Sequence, residues 1–143
     1  MTLTHHELCF GCGIANLFGL QMEVEPAEGG EGVSGRFFVK QDHQGPPGLA
    51  HSGVLACALD EAMALCVLAE GEGEGVRTGR LEVDYVAPAP VGTFVRVDAR
   101  VERREERRLE VGAEARGVGG ERMLIAKASA RFDRIDGNPG EAR

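Results

Sequence analysis

The chain has 143 residues, 43% of them apolar and 27% charged, with no Trp and a formal charge of −7. That length supports one domain, 1–143, with a real core, and the acidic balance excludes the basic face that nucleic-acid binding needs. No apolar run reaches 18 residues, and Met1–Glu7 has neither a basic nor an apolar leader segment. No membrane span is therefore expected, and a cytoplasmic location is.

Residues 1–17 read as an N-terminal extension, irregular or with one short helix. It contains a lone C-x-x-C, Cys9-Phe10-Gly11-Cys12, with His5 and His6 just upstream. Together these four side chains would make a zinc set, but finger-type ligand pairs are separated by a longer loop. A packed structural turn is the expectation, rather than a metal or redox centre. Gly19–Glu25 and Val33–Lys40 read as strands joined by the turn-rich segment Glu28–Gly32. Gln41–Ala50 is a loop stiffened by Pro46 and Pro47.

Val54–Ala69 is a helix, with Ser52 placed to cap its start and Gly71 its end. About 18 residues at 1.5 Å each span roughly 27 Å. The segment is apolar on nearly every side, so burial nearly all round is expected. Cys57 and Cys66 lie inside it as small hydrophobes, too far apart to bridge. Glu70–Gly75 is a Gly/Glu connector.

The second half alternates with period two. Leu81, Val83 and Tyr85 alternate with Glu82 and Asp84; Val95, Val97, Ala99 and Val101 with Arg96, Asp98 and Arg100. Leu109, Val111, Ala113 and Ala115 follow the same rule, as do Leu124, Ala126, Ala128, Ala130 and Phe132. One face of each strand is dry and the other wet. Turns fall at Pro88–Gly92, Arg103–Arg107 and Gly117–Gly120, short enough for antiparallel neighbours. The charge run Glu102–Arg108 is most simply a solvated hairpin, and residues 134–143 a frayed tail. One long buried helix needs a large curved sheet, so the architecture is α+β: about six antiparallel strands wrapped on a central helix.

Two carboxylates, Asp60 and Glu61, interrupt the apolar helix. A buried ionised carboxylate is costly unless it has a partner, which marks these residues as candidates for chemistry. Amides at a helix N-terminus are unpaired and sit at the positive end of the dipole, so those of Ser52 and Gly53 can stabilise a developing oxyanion. Neighbours on a helix diverge by about 100°, so Asp60 and Glu61 cannot serve one site.

Cys9-Phe10-Gly11-Cys12-Gly13 with Asn16 and Gly19-Leu20, then His51-Ser52-Gly53, Asp60 nine residues after the His, and Leu81–Pro90 ending Tyr85-x-x-Pro88-x-Pro90 resemble, in order and spacing, the hotdog-fold acyl-CoA thioesterases of the phenylacetate-degradation type. The likeness runs over residues 9–133. It implies hydrolysis of an acyl-CoA thioester to free acid and CoA, with no metal and no cofactor. It implies Asp60 as general base or nucleophile, Ser52 and Gly53 as amide donors, His51 orienting the loop or the carbonyl, and Gln44 positioning water. Ser52 stands where relatives carry the first Gly of a His-Gly-Gly motif, and Ala64 where some carry a catalytic-aid Ser. Ser52 and Asp60 are eight residues apart, roughly 12 Å along the axis, so the site is expected between two protomers, with a homodimer as the minimum and a tetramer compatible.

Three other readings compete. A non-catalytic acyl-CoA-binding or sensing module would tolerate loss of Asp60. A hotdog hydratase or dehydratase would set a His and an acid together on the substrate's α/β carbons, and the sequence has no Asp-x4-His arrangement of that kind. A zinc-stabilised structural protein would rest on His5, His6, Cys9 and Cys12. The acyl group itself is not legible.

Overall fold

The computed structural model describes residues 1–71, 75–119 and 122–135. Six strands and one long helix follow in order: β1 Glu23–Pro26, β2 Val33–Phe38, α1 Ser52–Ala69, β3 Val76–Tyr85, β4 Phe94–Arg104, β5 Arg108–Gly117 and β6 Leu124–Arg134. A single 3-10 turn, Gln41–His43, precedes the helix. All pairings are antiparallel, and the strand order is β1-β2-β4-β5-β6-β3. This is the sheet-on-helix architecture that the alternation implied.

The inward positions of the alternating strands are the core. Val95, Val97, Leu109, Val111, Ala115 and Ala126 are fully buried, with Phe132 and Phe37 beside them. Across from them lie Ala58, Leu59, Ala62, Met63, Leu65, Cys66 and Val67 of α1, each with no exposed surface. The alanines of β5 and β6 keep that layer thin, so the helix sits close to the sheet.

Several features depart from the sequence reading. β3 and β4 are not neighbours: β3 pairs with β6 at the sheet edge, and β4 pairs with β2 and β5. The eight residues 86–93 cover up to about 26 Å when extended, and three inter-strand steps need only about 14 Å. Pro88 and Pro90 hold the segment extended as it passes the start of α1, where Leu49 bridges Pro90. Strand β1 starts at Glu23 rather than Gly19, because Leu20 and Met22 donate their amides to Phe10 and Gly11 instead (2.9 Å each). No helix forms among residues 1–17. The tail beyond Ile135, Gly120, and the connector residues 72–74 lie outside the described residues.

The helix departs in two ways. Its N-cap is His51, extended at φ −62°, ψ 140°, and Ser52 is the first helical residue. By length and composition α1 is apolar enough to cross a membrane, contrary to the reading that no such segment exists; here its apolar side packs into the sheet. Nor is it buried all round: Cys57, Asp60, Glu61, Ala64 and Leu68 are only partly covered. Their spacing of three to four residues puts them on one side of the helix, where the sheet does not reach. At the C-terminal end the Gly71 amide closes onto the Leu68 carbonyl (2.9 Å), so Gly71 ends the helix as expected.

Among the described residues one buried polar side chain stands out. His43 is 3% exposed. Its Nδ1 accepts the Lys40 amide at 3.0 Å, and its Nε2 has no hydrogen-bond partner. The ring meets Phe37 edge-on, 6.2 Å between centroids. Burial holds the His43 pKa below its ordinary value; the Gly19 backbone opposes this from outside hydrogen-bond geometry, Lys40 adds to it, and Asp42 opposes it. A histidine that folds neutral binds fewer protons than the unfolded chain does. Stability from this group is therefore complete above about pH 6.5 and is lost as pH falls through the window below it. A ring-proton NMR titration is expected to place the His43 midpoint below that ordinary value. A midpoint above it would remove His43 as a source of acid lability.

Candidate active site

The loop before α1 is built to present the helix start. Residues Pro46–Leu49 form a four-residue turn closed by the Leu49 amide on the Pro46 carbonyl (3.0 Å). Pro47 takes the second position and Gly48, at φ +79°, the third, the pattern of a type II turn. The Gln44 side chain ties this turn to the preceding 3-10 turn. Its amide nitrogen donates to the Gln41 carbonyl (3.0 Å), and its oxygen accepts from the Gly48 amide (2.7 Å). In this structure the Gln44 side chain braces the loop through one donor and one acceptor site, and it is exposed.

His51 is fixed on both sides. Its backbone amide donates to the His43 carbonyl (2.8 Å), and its Nδ1 accepts the Gly53 amide (2.8 Å). That cap occupies one of the two donors assigned to the oxyanion. The Ser52 amide remains: among the described residues it has no partner, and Ser52 itself is exposed. The Ser52 carbonyl accepts the Tyr85 hydroxyl at 2.8 Å, which ties the end of β3 to the start of α1. Tyr85 falls in the dry-face register of β3, yet it is 48% exposed.

Asp60 lies on the partly covered side of α1. Its Oδ1 accepts the Thr78 hydroxyl at 2.8 Å, and its Oδ2 has no partner among the described residues. Burial raises the Asp60 pKa; the Thr78 hydrogen bond opposes this, Glu61 adds to it, and His5 opposes it. Thr78 escaped the sequence reading because the alternation becomes visible only from Leu81. Its place, two residues into a strand at the open sheet edge, had no local signal.

Glu61 points elsewhere, as the helical angle requires. Its Oε2 lies 2.7 Å from His5 Nδ1 and 3.4 Å from Cys9 Sγ. Burial works against the Glu61 charge, but His5, Cys12 and Cys9 outweigh it and its pKa is lowered. The hydrogen bond to Glu61 raises the His5 pKa to about 9. His6 is not part of this group: its Nδ1 accepts the Leu8 amide at 3.3 Å. The set His5, His6, Cys9 and Cys12 is thus not assembled, and Glu61 stands where His6 was expected.

A cavity of about 650 Å³ lies away from these groups, lined by Glu82, Asp84, Asp98, Glu114 and Lys127 among others. Neither Asp60 nor Ser52 lines it. The Arg103–Glu105 and Arg108–Glu105 ion pairs of the β4–β5 hairpin are exposed (3.0 and 3.6 Å), which matches a solvated turn.

Similarity to known proteins converges on one group. The thioesterase superfamily model matches residues 47–123, more than half of the chain. The acyl-coenzyme A thioesterase THEM4 of Rattus norvegicus is 32% identical over 93 residues, covering 65% of this chain and 39% of that protein. Its Xenopus laevis counterpart is 34% identical over 97 residues, covering 64% and 40%. The chain therefore spans about two fifths of these relatives' length. A phenylacetic acid degradation-related protein of Ralstonia eutropha JMP134 superposes with a TM-score of 0.69 at 25% identity, covering 80% of this chain and 85% of that one. The E. coli PaaI protein of the phenylacetic acid degradation operon has the same fold, with a TM-score of 0.72, 16% identity and coverage of 80% and 84%. The matched segment holds the capped helix start, Asp60 and Thr78, and with it the chain belongs to the thioesterase superfamily.

Proposed function

We propose that this chain hydrolyses acyl-CoA thioesters to a free acid and CoA, working as a homodimer with its sites between protomers. The observation that carries the reading is the pairing of a free helix-start amide with a positioned carboxylate. Ser52 N–H points out of the helix N-terminus with no internal partner, and Asp60 is held through one oxygen by Thr78 with the other oxygen open.

Each part has a role in the reaction. The thioester carbonyl oxygen accepts the Ser52 amide, where the helix dipole also favours negative charge. The Asp60 carboxylate either takes a proton from water as it attacks the carbonyl carbon, or attacks that carbon itself and is released by water. The C–S bond breaks, CoA leaves as thiol, and water supplies the oxygen of the acid. His51 keeps the loop in register by capping the helix, and Tyr85 anchors the Ser52 carbonyl. Metal and cofactor have no part in these steps.

Distance supports the dimer. Ser52 and Asp60 are separated by eight residues, roughly 12 Å of helix, more than one carbonyl can bridge. Asp60 lies on the partly covered side of α1 and is held by Thr78 of the edge strand β3, and a two-fold contact between such sides would bring the partner's Asp60 to Ser52. A tetramer built from two such dimers is compatible with this arrangement.

Three outcomes check the proposal. On a panel of acetyl-, medium-chain, long-chain, phenylacetyl- and hydroxybenzoyl-CoA, followed by thiol release, at least one substrate turns over, and Asp60→Asn lowers kcat by about 10²–10⁴-fold with the fold unchanged by circular dichroism. Tight acyl-CoA binding without turnover by any member would instead indicate a binding or sensing module. Thr78→Val removes one hydrogen bond of about 0.5–1.5 kcal/mol and is expected to lower kcat by roughly 2- to 12-fold at similar KM; an unchanged kcat would mean that Thr78 does not position Asp60. The third outcome concerns the interface. Proline is tolerated at the first helical position but has no N–H, so Ser52→Pro deletes the proposed donor cleanly. Ser52→Pro and Asp60→Asn protomers, each inactive alone, should regain activity when mixed and refolded together, because one site of the mixed dimer receives both native groups. No recovery in a verified mixed dimer would place both groups in one chain.

A further inference from the structure

The segment ahead of β1 poses a physical problem of its own. Residues 1–19 contain no helix and only one bridge to the sheet, Leu3 with Val24. Few of their apolar side chains anchor them: Leu8, Phe10, Ile14, Leu17 and Phe18 are 52–88% exposed, Leu3 and Cys9 are partly buried against the core, and Cys12 is buried. Burial of the usual kind therefore contributes little to holding this stretch. What it does place inward is a group of metal-binding atoms.

Nδ1 of His5, Sγ of Cys9, Sγ of Cys12 and a carboxylate oxygen of Glu61 all lie within 4.8 Å of one another. Cys9 Sγ and Cys12 Sγ are each 3.8 Å from His5 Nδ1, and Cys9 Sγ is 3.4 Å from Glu61 Oε2. A tetrahedral zinc ion with ordinary bond lengths requires edges of about 3.5–3.6 Å for S–N and S–O and about 3.4 Å for N–O. Three of the contacts already lie within a few tenths of an ångström of those values. The His5–Glu61 contact is shorter, 2.7 Å, because the two groups are hydrogen-bonded to each other. Opening it by about 0.7 Å makes room at the centre of the four.

The backbone is shaped for the same purpose. The Gly13 amide donates to the Cys9 carbonyl (2.8 Å), which folds Cys9–Gly13 into a knuckle. The His5 amide donates to Cys12 Sγ at 3.3 Å, the kind of outer hydrogen bond that steadies a metal thiolate. Gly11 lies directly on Glu61: a Cβ there would stand 2.5 Å from Glu61 Cγ, so only glycine lets the knuckle close over that carboxylate. The Glu61 side chain is only 11% exposed. A carboxylate that deep, facing two thiols and one imidazole, is a donor set of the borderline-soft kind that zinc prefers.

We propose that His5, Cys9, Cys12 and Glu61 bind one zinc ion, closed in four-coordination, that pins the N-terminal segment to α1. The site is structural. Three ligands come from a stretch of eight residues, and the fourth comes from the central helix, so the ion ties a segment with little core of its own to the most buried element of the fold. Its spacing departs from finger-type sites because the second pair of ligands is not a second knuckle: His5 precedes the first, and Glu61 arrives from 49 residues beyond Cys12. The proposal does not depend on the thioesterase reading.

The test is metal analysis of the full chain, expressed in zinc-replete medium and purified under reducing conditions without chelator. About one zinc per chain is expected, lost in Cys12→Ser and in Glu61→Gln and kept in His6→Ala, whose side chain is outside the set. If a variant fails to fold, cobalt answers in its place: Co²⁺ added to metal-free wild-type protein should give the visible d–d bands of a tetrahedral site and near-ultraviolet thiolate charge-transfer bands. Zinc should then bleach them. The bound protein should also resist proteolysis within residues 1–19 better than the chelated protein. Zinc well below one per chain together with no tetrahedral cobalt spectrum would overturn the proposal. So would a Cys9–Cys12 disulfide found by mass spectrometry in protein that takes up neither metal after reduction.

Discussion

The seating of α1 in the concave side of the sheet determines where every functional group can be. A helix has one circumference to divide, and here the sheet takes the larger share. Leu55, Ala58, Leu59, Ala62, Met63, Leu65, Cys66 and Val67 turn inward, and fully burying a Leu or Met side chain stabilises the fold by about 1.5–3 kcal/mol. That sum leaves a strip along Cys57, Asp60, Glu61, Ala64 and Leu68 that the sheet does not cover. Carboxylates can occupy this strip at a cost the core would not tolerate, because each finds a partner from another part of the chain. The apolar density of α1 and its two acids are thus two sides of one packing arrangement.

The same seating fixes the start of the helix. The cross-sheet passage of residues 86–93 brings Ala89 and Pro90 beneath the loop, where the Ala89 carbonyl accepts the Ala50 amide (2.8 Å). Tyr85, at the last residue of β3, then reaches the Ser52 carbonyl. A cap interaction is worth about 1 kcal/mol, and His51 supplies it from its ring, not from a hydroxyl. The choice has a chemical result. A Ser52 cap would turn its own side chain onto a downstream amide and sit outside the helix. With His51 as the cap, Ser52 enters the first turn with its N–H directed outward. The loop brace by Gln44 and the turn at Pro46–Leu49 hold that geometry.

What could be read from the sequence was what depends on periodicity. Alternation at Val95–Val101, Leu109–Ala115 and Leu124–Phe132 is local, so strands and dry faces followed from it, and the uninterrupted apolar run announced the helix. The neighbour relation of β3 was not local. A short Pro-rich connection is equally consistent with a tight hairpin or an extended crossing, and only the fit of the helix beneath it decides. The burial of α1 was overestimated for a related reason: apolarity all round a helix does not say that a sheet can reach all round it. Ser52 was the better cap by propensity, yet His51 holds the place because its amide is already bound to the His43 carbonyl, which sets it in the extended conformation a cap needs. Thr78 and Glu61's partners come from segments 18 and at least 49 residues away from the acids they meet, and no spacing rule reports such meetings.

Asp60 and Glu61 show how one peptide bond can separate two kinds of chemistry. The turn of about 100° between them aims Asp60 at β3 and Glu61 at the N-terminal knuckle. Asp60 receives one neutral hydrogen bond and keeps an oxygen open. Glu61 is enclosed by an imidazole and two thiols, so its charge is matched inside the fold. Were both carboxylates directed to one side, their repulsion in a half-buried setting would drive one of them to take up a proton. The helical turn separates them, and the N-terminal segment gives Glu61 partners of its own. The knuckle around Cys9 and Cys12 is therefore connected to the Asp60 side of α1 through the helix that carries both acids.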